Sequence, residues 1–156
     1  MRFYTSYYAN FKNIPSNYIC VGISRVCLEG FEGKENFFFV KDNYLAPPKD
    51  LFEDMKSGNE TEEGYKRRYV KHILETFAPG KKFESFQGFV NKIEELYKNK
   101  YNAVVFLCYE RPDAFCHRHI LRSLMNKIFR IPCEELEVPT KENKNNTASK
   151  TQTSLF

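Results

Sequence analysis

The chain has 156 residues, 42% hydrophobic and 16% aromatic, long enough for one domain with a real core and too rich in large apolar side chains to be a disordered chain. Its formal net charge of +4 is too small to make it a nucleic-acid binder on charge alone, although it permits an anionic partner. Fifteen Phe and ten Tyr with no Trp require a largely aromatic core. Cys20, Cys27, Cys108, Cys116 and Cys133 are odd in number and lie in or beside apolar runs, which fits free thiols in a reducing compartment rather than a disulfide framework, so a cytoplasmic location is expected. The first residues lack the apolar core of a secretory signal, and no apolar run approaches membrane-spanning length.

In chain order, residues 2–8 and 18–26 read as strands, with Asn13, Pro15 and Asn17 carrying turn and short-helix signals between them. That link is too short for a full crossover helix. Residues 27–60 read as irregular, broken by Gly30, Gly33, Pro47, Pro48 and Gly58 around the aromatic run Phe37, Phe38, Phe39. In residues 62–77 the positions Tyr65, Tyr69, Ile73 and Phe77 recur every four residues, predicting an amphipathic helix that stops before Pro79 and Gly80. Residues 83–97 repeat the signal with Phe86, Phe89, Val90, Ile93, Leu96 and Tyr97. Residues 103–107 form a short apolar run expected to be a strand covered on both faces. Pro112 forbids continued pairing, and Asp113 is the expected N-cap of a helix over 114–129. Residues 134–138 suggest a last edge strand.

This alternation predicts an α/β fold: a three-layer domain with a small, mostly parallel sheet flanked by helices. The strand order is not legible. The domain is expected over residues 1–139. Residues 140–151 contain no large apolar side chain and read as a flexible linker before a separate motif at 152–156. There is no internal repeat.

Cys108, Glu110, Arg111, Cys116, His117, Arg118 and His119 fall within twelve residues where the 103–107 strand gives way to a helix, the junction at which open α/β sheets bind ligands. On that helix His117, Leu121, Leu124 and Ile128 share a face, with Cys116 and Ile120 beside them, so Cys116 and His117 are expected to point toward the sheet and Arg118 and Arg122 elsewhere. Cys116 in the first turn would feel the positive end of the helix dipole, which favours a thiolate or a bound anion. Arg111 and Arg118 would reinforce that preference. The functional reading is an anion pocket with Cys116 as nucleophile, His117 as proton-transfer group and Glu110 as carboxylate, and with Cys108, Arg111, Arg118 and the strand-end residue Arg25 around the ligand. The plainer reading makes Cys108 a small core hydrophobe and Cys116 with His117 a buried structural pair.

A metal reading would use Cys108, Cys116, His117 and His119. Their spacing matches none of the usual zinc patterns, and His119 should diverge from His117, so neither a metal nor a cofactor is expected. Walker A, Cys-x-x-Cys and G-x-S-x-G motifs do not occur. Lys66, Arg67, Arg68 and Lys71 form a basic stripe that is ordinarily a solvated helix face, though Arg68 and His72, one turn apart, offer a phosphate contact.

The string Leu107-Cys108-Tyr109-Glu110-Arg111-Pro112, followed by Phe115-Cys116-His117-Arg118-His119, resembles the signature of the family catalogued as domain of unknown function 488. Tyr4-Thr5-Ser6-Tyr7, Ile23-Ser24, Leu45-Ala46-Pro47, Met55-Lys56-Ser57-Gly58 and Tyr65 with Tyr69 resemble the small-protein branch of that family. The resemblance covers about residues 3 to 130. It implies a compact α/β domain with a pocket near the Cys-His-Arg signature, and it leaves the reaction open.

The last residues, Gln152-Thr153-Ser154-Leu155-Phe156, resemble the motif by which bacterial polymerases and repair proteins dock on the DNA sliding clamp. Leu155 and Phe156 would fill an apolar pocket while Gln152 fixes orientation, Ser154 is the remaining motif position, and a flexible linker is what such a tethered motif needs. Thr153 departs from the strongest consensus, where Leu is common. Three functions follow from these residues. The first is an enzyme or ligand-processing domain for a nucleotide or a nucleic-acid lesion, brought to DNA by the clamp. The second is a non-enzymatic competitor for the clamp, and the third a small-molecule sensor unrelated to DNA.

Overall fold

Six consecutive residues, Ala103 to Cys108, are all buried, which a strand can tolerate only in the middle of a sheet covered on both faces. A computed structural model, describing residues 1–39 and 44–137, places them there. The strands are β1 (Arg2–Tyr7), β2 (Tyr18–Gly22), β3 (Phe37–Phe39), β4 (Ala103–Cys108) and β5 (Cys133–Glu135). They form one parallel sheet in the order β3-β2-β4-β1-β5. The helices are α1 (Lys49–Lys56), α2 (Glu62–Thr76), α3 (Phe86–Tyr97) and α4 (His117–Lys127), with a 3-10 helix at Tyr8–Asn13. Among the described residues, no helix is long and apolar enough to cross a membrane.

The two-residue period of β4 divides the core. Val104, Phe106 and Cys108 face the helical layer, against Tyr69 and Ile73 of α2, Phe89 and Val90 of α3, and Leu121 and Met125 of α4. Val105 and Leu107 face a thinner layer built from the 3-10 helix and the segment after β2, where Tyr8, Phe11, Leu28 and Phe31 cover the sheet. Connections running toward the β3 edge cross the thin face, and those running toward β5 cross the helical face. That separation is what a common crossover handedness demands when the central strand is laid down fourth.

Several boundaries differ from the sequence reading. β2 ends at Gly22, because Ile23 makes one more ladder bond to the Leu107 carbonyl (2.9 Å) and the chain then turns, with the Ser24 hydroxyl donating to the Val26 carbonyl (2.7 Å). Gly22 is required at that end: a Cβ there would lie 2.7 Å from the Tyr8 hydroxyl oxygen and 2.9 Å from the Phe39 ring. The span 27–60 is not wholly irregular, since it holds β3 and α1. β3 has only three residues, and α1 is a mostly polar helix following Pro48, so neither produces a periodic signal long enough to read. α3 starts at Phe86, where the Ser85 hydroxyl accepts the Gly88 amide. The last strand is Cys133–Glu135, and residue 138, the linker and the terminal motif lie outside the described residues.

The basic stripe on α2 has a structural use. Arg68 pairs with Asp50 (3.2 Å) and Asp54 (2.8 Å) of α1 and with Glu60 (3.0 Å), clamping α1 onto α2. That hub fixes the wall that α1 contributes to the cavity described next.

Candidate functional site

The C-terminal ends of β2 and β4 and the start of α4 converge on one cavity of ≈ 510 Å³. In a parallel sheet these ends gather backbone groups and loop side chains at one edge, which is why ligands collect there. α4 begins at His117 rather than 114, with Cys116 as its N-cap residue in extended conformation and Asp113 exposed in the preceding turn. The later start lets Phe115 pack edge-on against Tyr65 (5.3 Å) and carries the Cys116 side chain inward beside the end of β4.

Cys108, at the last position of β4, and Cys116 and His117, at the start of α4, form a buried trio. His117 Nδ1 lies 3.7 Å from Cys108 Sγ and 4.0 Å from Cys116 Sγ. Its Nε2 is 2.8 Å from the Ile23 carbonyl oxygen. A carbonyl only accepts, so Nε2 carries the hydrogen and donates it, which directs Nδ1 toward the two sulfurs. The ring is held from the side by Tyr69, edge-on at 5.3 Å.

The two thiols titrate as a pair. The Cys108 thiol donating toward Cys116 pulls Cys116 far below the usual thiol range against the cost of burial, and His117 and the Arg118 backbone amide at the helix start add to the effect. The same contact, with burial, pushes Cys108 well above that range. Their mutual contact thus drives the two thiols in opposite directions. Burial raises the nearby Tyr65 and Tyr69 phenols, which stay neutral.

The walls are apolar and aromatic: Val26, Phe52, Met55, Tyr65, Tyr109 and Phe115. Three of the protein's exposed large hydrophobics, Val26 (64%), Phe52 (40%) and Tyr109 (42%), stand at this mouth. Arg25 and Lys56 supply positive charge at the rim, and Arg25 also donates to the Pro47 carbonyl (3.2 Å), joining the two sides of the opening. Tyr109 donates to the Val26 carbonyl (2.9 Å), and Tyr8 and Ser24 share a hydrogen bond behind it (2.7 Å), so the β2 end of the rim is fixed.

The structure thus brings together Cys108, Cys116, His117, Arg25 and Glu110, the last with an exposed side chain at the rim. Arg111 is exposed and does not line the cavity. Arg118, expected around the ligand, is fully buried and does not line the cavity: Nε and Nη2 bond Glu135 (3.2 and 3.0 Å), Nη1 bonds the Glu110 carbonyl, and the guanidinium covers the Tyr7 ring. Its role is to hold the loop after β4 onto β5. His119 does diverge from His117 and lines a neighbouring cavity of ≈ 320 Å³ with Glu62 and Lys66, which shares Phe115 and Cys116 with the first. The sequence reading missed Phe52 and Tyr109 as wall residues. An exposed aromatic on an otherwise polar helix is the available signal for Phe52, and Tyr109 follows directly after the buried strand.

No curated protein and no solved structure matches this chain. A family model described as the active DUF488-N3 subclade matches residues 7–128, a span that contains the trio, the aromatic walls and both rim cations. With most of its length matched, the chain belongs to the family of domain of unknown function 488.

Proposed function

We propose that this chain is a cytoplasmic enzyme acting on a nucleotide, or on a base within a nucleic acid, with Cys116 and His117 as its reactive pair. The observation that carries the reading is the meeting of that buried pair with an aromatic-walled cavity of ≈ 510 Å³, a size suited to a small-molecule ligand. Tyr65, Phe52, Tyr109 and Phe115 offer faces and edges on which a planar ring stacks. Arg25 and Lys56 at the mouth suit a phosphate attached to such a ring. The matched family model is the one described as active, which favours turnover over a binding-only role.

The test is incubation of the reduced full chain with nucleoside mono- and triphosphates and with single-stranded oligonucleotides carrying damaged bases, products being read by mass spectrometry. Conversion is expected, and Cys116→Ser or His117→Ala should lower it by at least about a hundredfold in folded protein. Equal turnover in those variants would sink the assignment of the pair, and ligand binding without any product would favour a sensor.

Delivery to DNA is part of the same reading, supported by the terminal sequence Gln152, Thr153, Ser154, Leu155, Phe156. The full chain is expected to bind a purified bacterial sliding clamp in surface plasmon resonance, and a chain ending at Thr151 is not. If truncation leaves the binding unchanged, or if neither form binds, the clamp drops out of the function.

A further inference from the structure

We infer that Cys108, Cys116 and His117 form a three-ligand zinc site whose fourth position opens into the aromatic cavity. The inference rests on the reading of that cavity as the working site; with zinc bound, Cys116 and His117 serve it as metal ligands, in place of the roles of free nucleophile and proton-transfer group. The argument is geometric. Zinc bonds of about 2.3 Å to sulfur and about 2.05 Å to nitrogen, at tetrahedral angles, set an S···N edge of about 3.6 Å and an S···S edge of about 3.8 Å. The observed S···N separations are 3.7 and 4.0 Å, and all three donor atoms lie within 4.8 Å of one another. The two S···N edges therefore lie within a few tenths of an ångström of the zinc values, and the S···S edge has to close by no more than about 1 Å for a cation to fit among them.

Three further features fit the same assignment. His117 presents Nδ1 to the sulfurs because its Nε2–H is fixed on the Ile23 carbonyl at 2.8 Å, the outer hydrogen bond that orients a metal-binding imidazole. Two thiolates and one neutral imidazole are soft donors that select zinc over magnesium or calcium, and two thiolates balance a divalent charge in a buried place. All three residues line the cavity, so the remaining coordination position faces the ligand space, as in catalytic rather than structural zinc sites. Among the described residues His119 is not in the group of donor atoms that meet within 4.8 Å, and it is not a fourth ligand.

The test uses the full chain, reduced and freed of metal by a chelator, then titrated with cobalt(II) and with zinc(II) under anaerobic conditions. One equivalent of cobalt should bind, giving an intense sulfur-to-cobalt charge-transfer band with visible bands of tetrahedral strength, and zinc should displace it. Cys108→Ser and Cys116→Ser should each weaken zinc affinity by at least about a hundredfold and reduce the charge-transfer band, while His119→Ala leaves both unchanged. A wild-type chain that takes up neither metal, or whose cobalt spectrum lacks the thiolate band, overturns the proposal without recourse to any variant. So does uptake that is unchanged in both cysteine variants. Because metal is measured on substrate-free protein, uptake with no nucleotide conversion supports the zinc site and sinks only the enzymatic reading. Conversion by a chain that binds no metal sinks the zinc site alone.

Discussion

Arg118→Met should destabilise the domain by about 3–5 kcal/mol, a large part of the roughly 5–15 kcal/mol that holds such a domain folded. The guanidinium is 0% exposed and its partners cannot be replaced by water. Without it, the Glu135 carboxylate keeps, among the described residues, Arg122 at 3.6 Å and the Thr5 hydroxyl, and the Glu110 carbonyl loses its donor. The loop from Glu110 to Cys116 would come loose from β5, and with it the start of α4 that carries Cys116 and His117. Lysine should not rescue, because one ammonium cannot make the forked contacts to Glu135 and the Glu110 carbonyl together. Urea denaturation followed by circular dichroism measures the loss. The double variant Arg118→Met, Glu135→Leu provides the physical check. Removing both charges should recover a substantial part of the stability, since the penalty lies in the orphaned partner. A single-variant loss below about 1 kcal/mol would show that the ion pair is not what holds this loop.

Tyr69→Ala should have the second large effect, about 3–5 kcal/mol for removal of a fully buried ring, with a further cost of about 1–3 kcal/mol for the Leu45 carbonyl that loses its donor. Tyr69 is 0% exposed, donates to Leu45 at 2.7 Å, stacks on Tyr65 and braces the His117 ring. Tyr69→Phe separates these contributions. It keeps the ring and the brace and loses only the hydroxyl, so it should cost the smaller amount and leave the chemistry of His117 largely intact. The same urea titration ranks the three proteins. Equal losses for Phe and Ala would show that the hydroxyl, and through it the Leu45 segment, matters more than the ring.

How much of this was legible beforehand differs from element to element, for identifiable reasons. α2 was readable because Tyr65, Tyr69 and Ile73 repeat at a helical period and all three are buried as that period requires. β4 was readable because the five-residue apolar run 103–107 leaves few alternatives, and the strand extends one residue further, to Cys108. β3 and α1 were not, since a three-residue strand has no period and α1 buries only Leu51. The start of α4 was misplaced because Asp113 has the right chemistry for an N-cap, whereas the packing of Phe115 on Tyr65 and the pull of Cys116 into the core hold that turn out of the helix.

The sequence by itself determined the α/β class, the free cysteines and the address of the site, because periodicity, apolar runs and a cluster of reactive side chains are local properties of the chain. Only the tertiary structure decided which of its members meet. Cys108 and Cys116 are eight positions apart, a spacing that matches no zinc pattern, yet one sits at a strand end and the other at a helix start that the fold places side by side. Arg118, a ligand-binding candidate by its neighbours in the chain, is turned away because Glu135, on the far edge strand, supplies the charge that lets it be buried. Donor geometry and the partnering of buried charge are set by residues distant in the chain, and the parallel strand order brings them together.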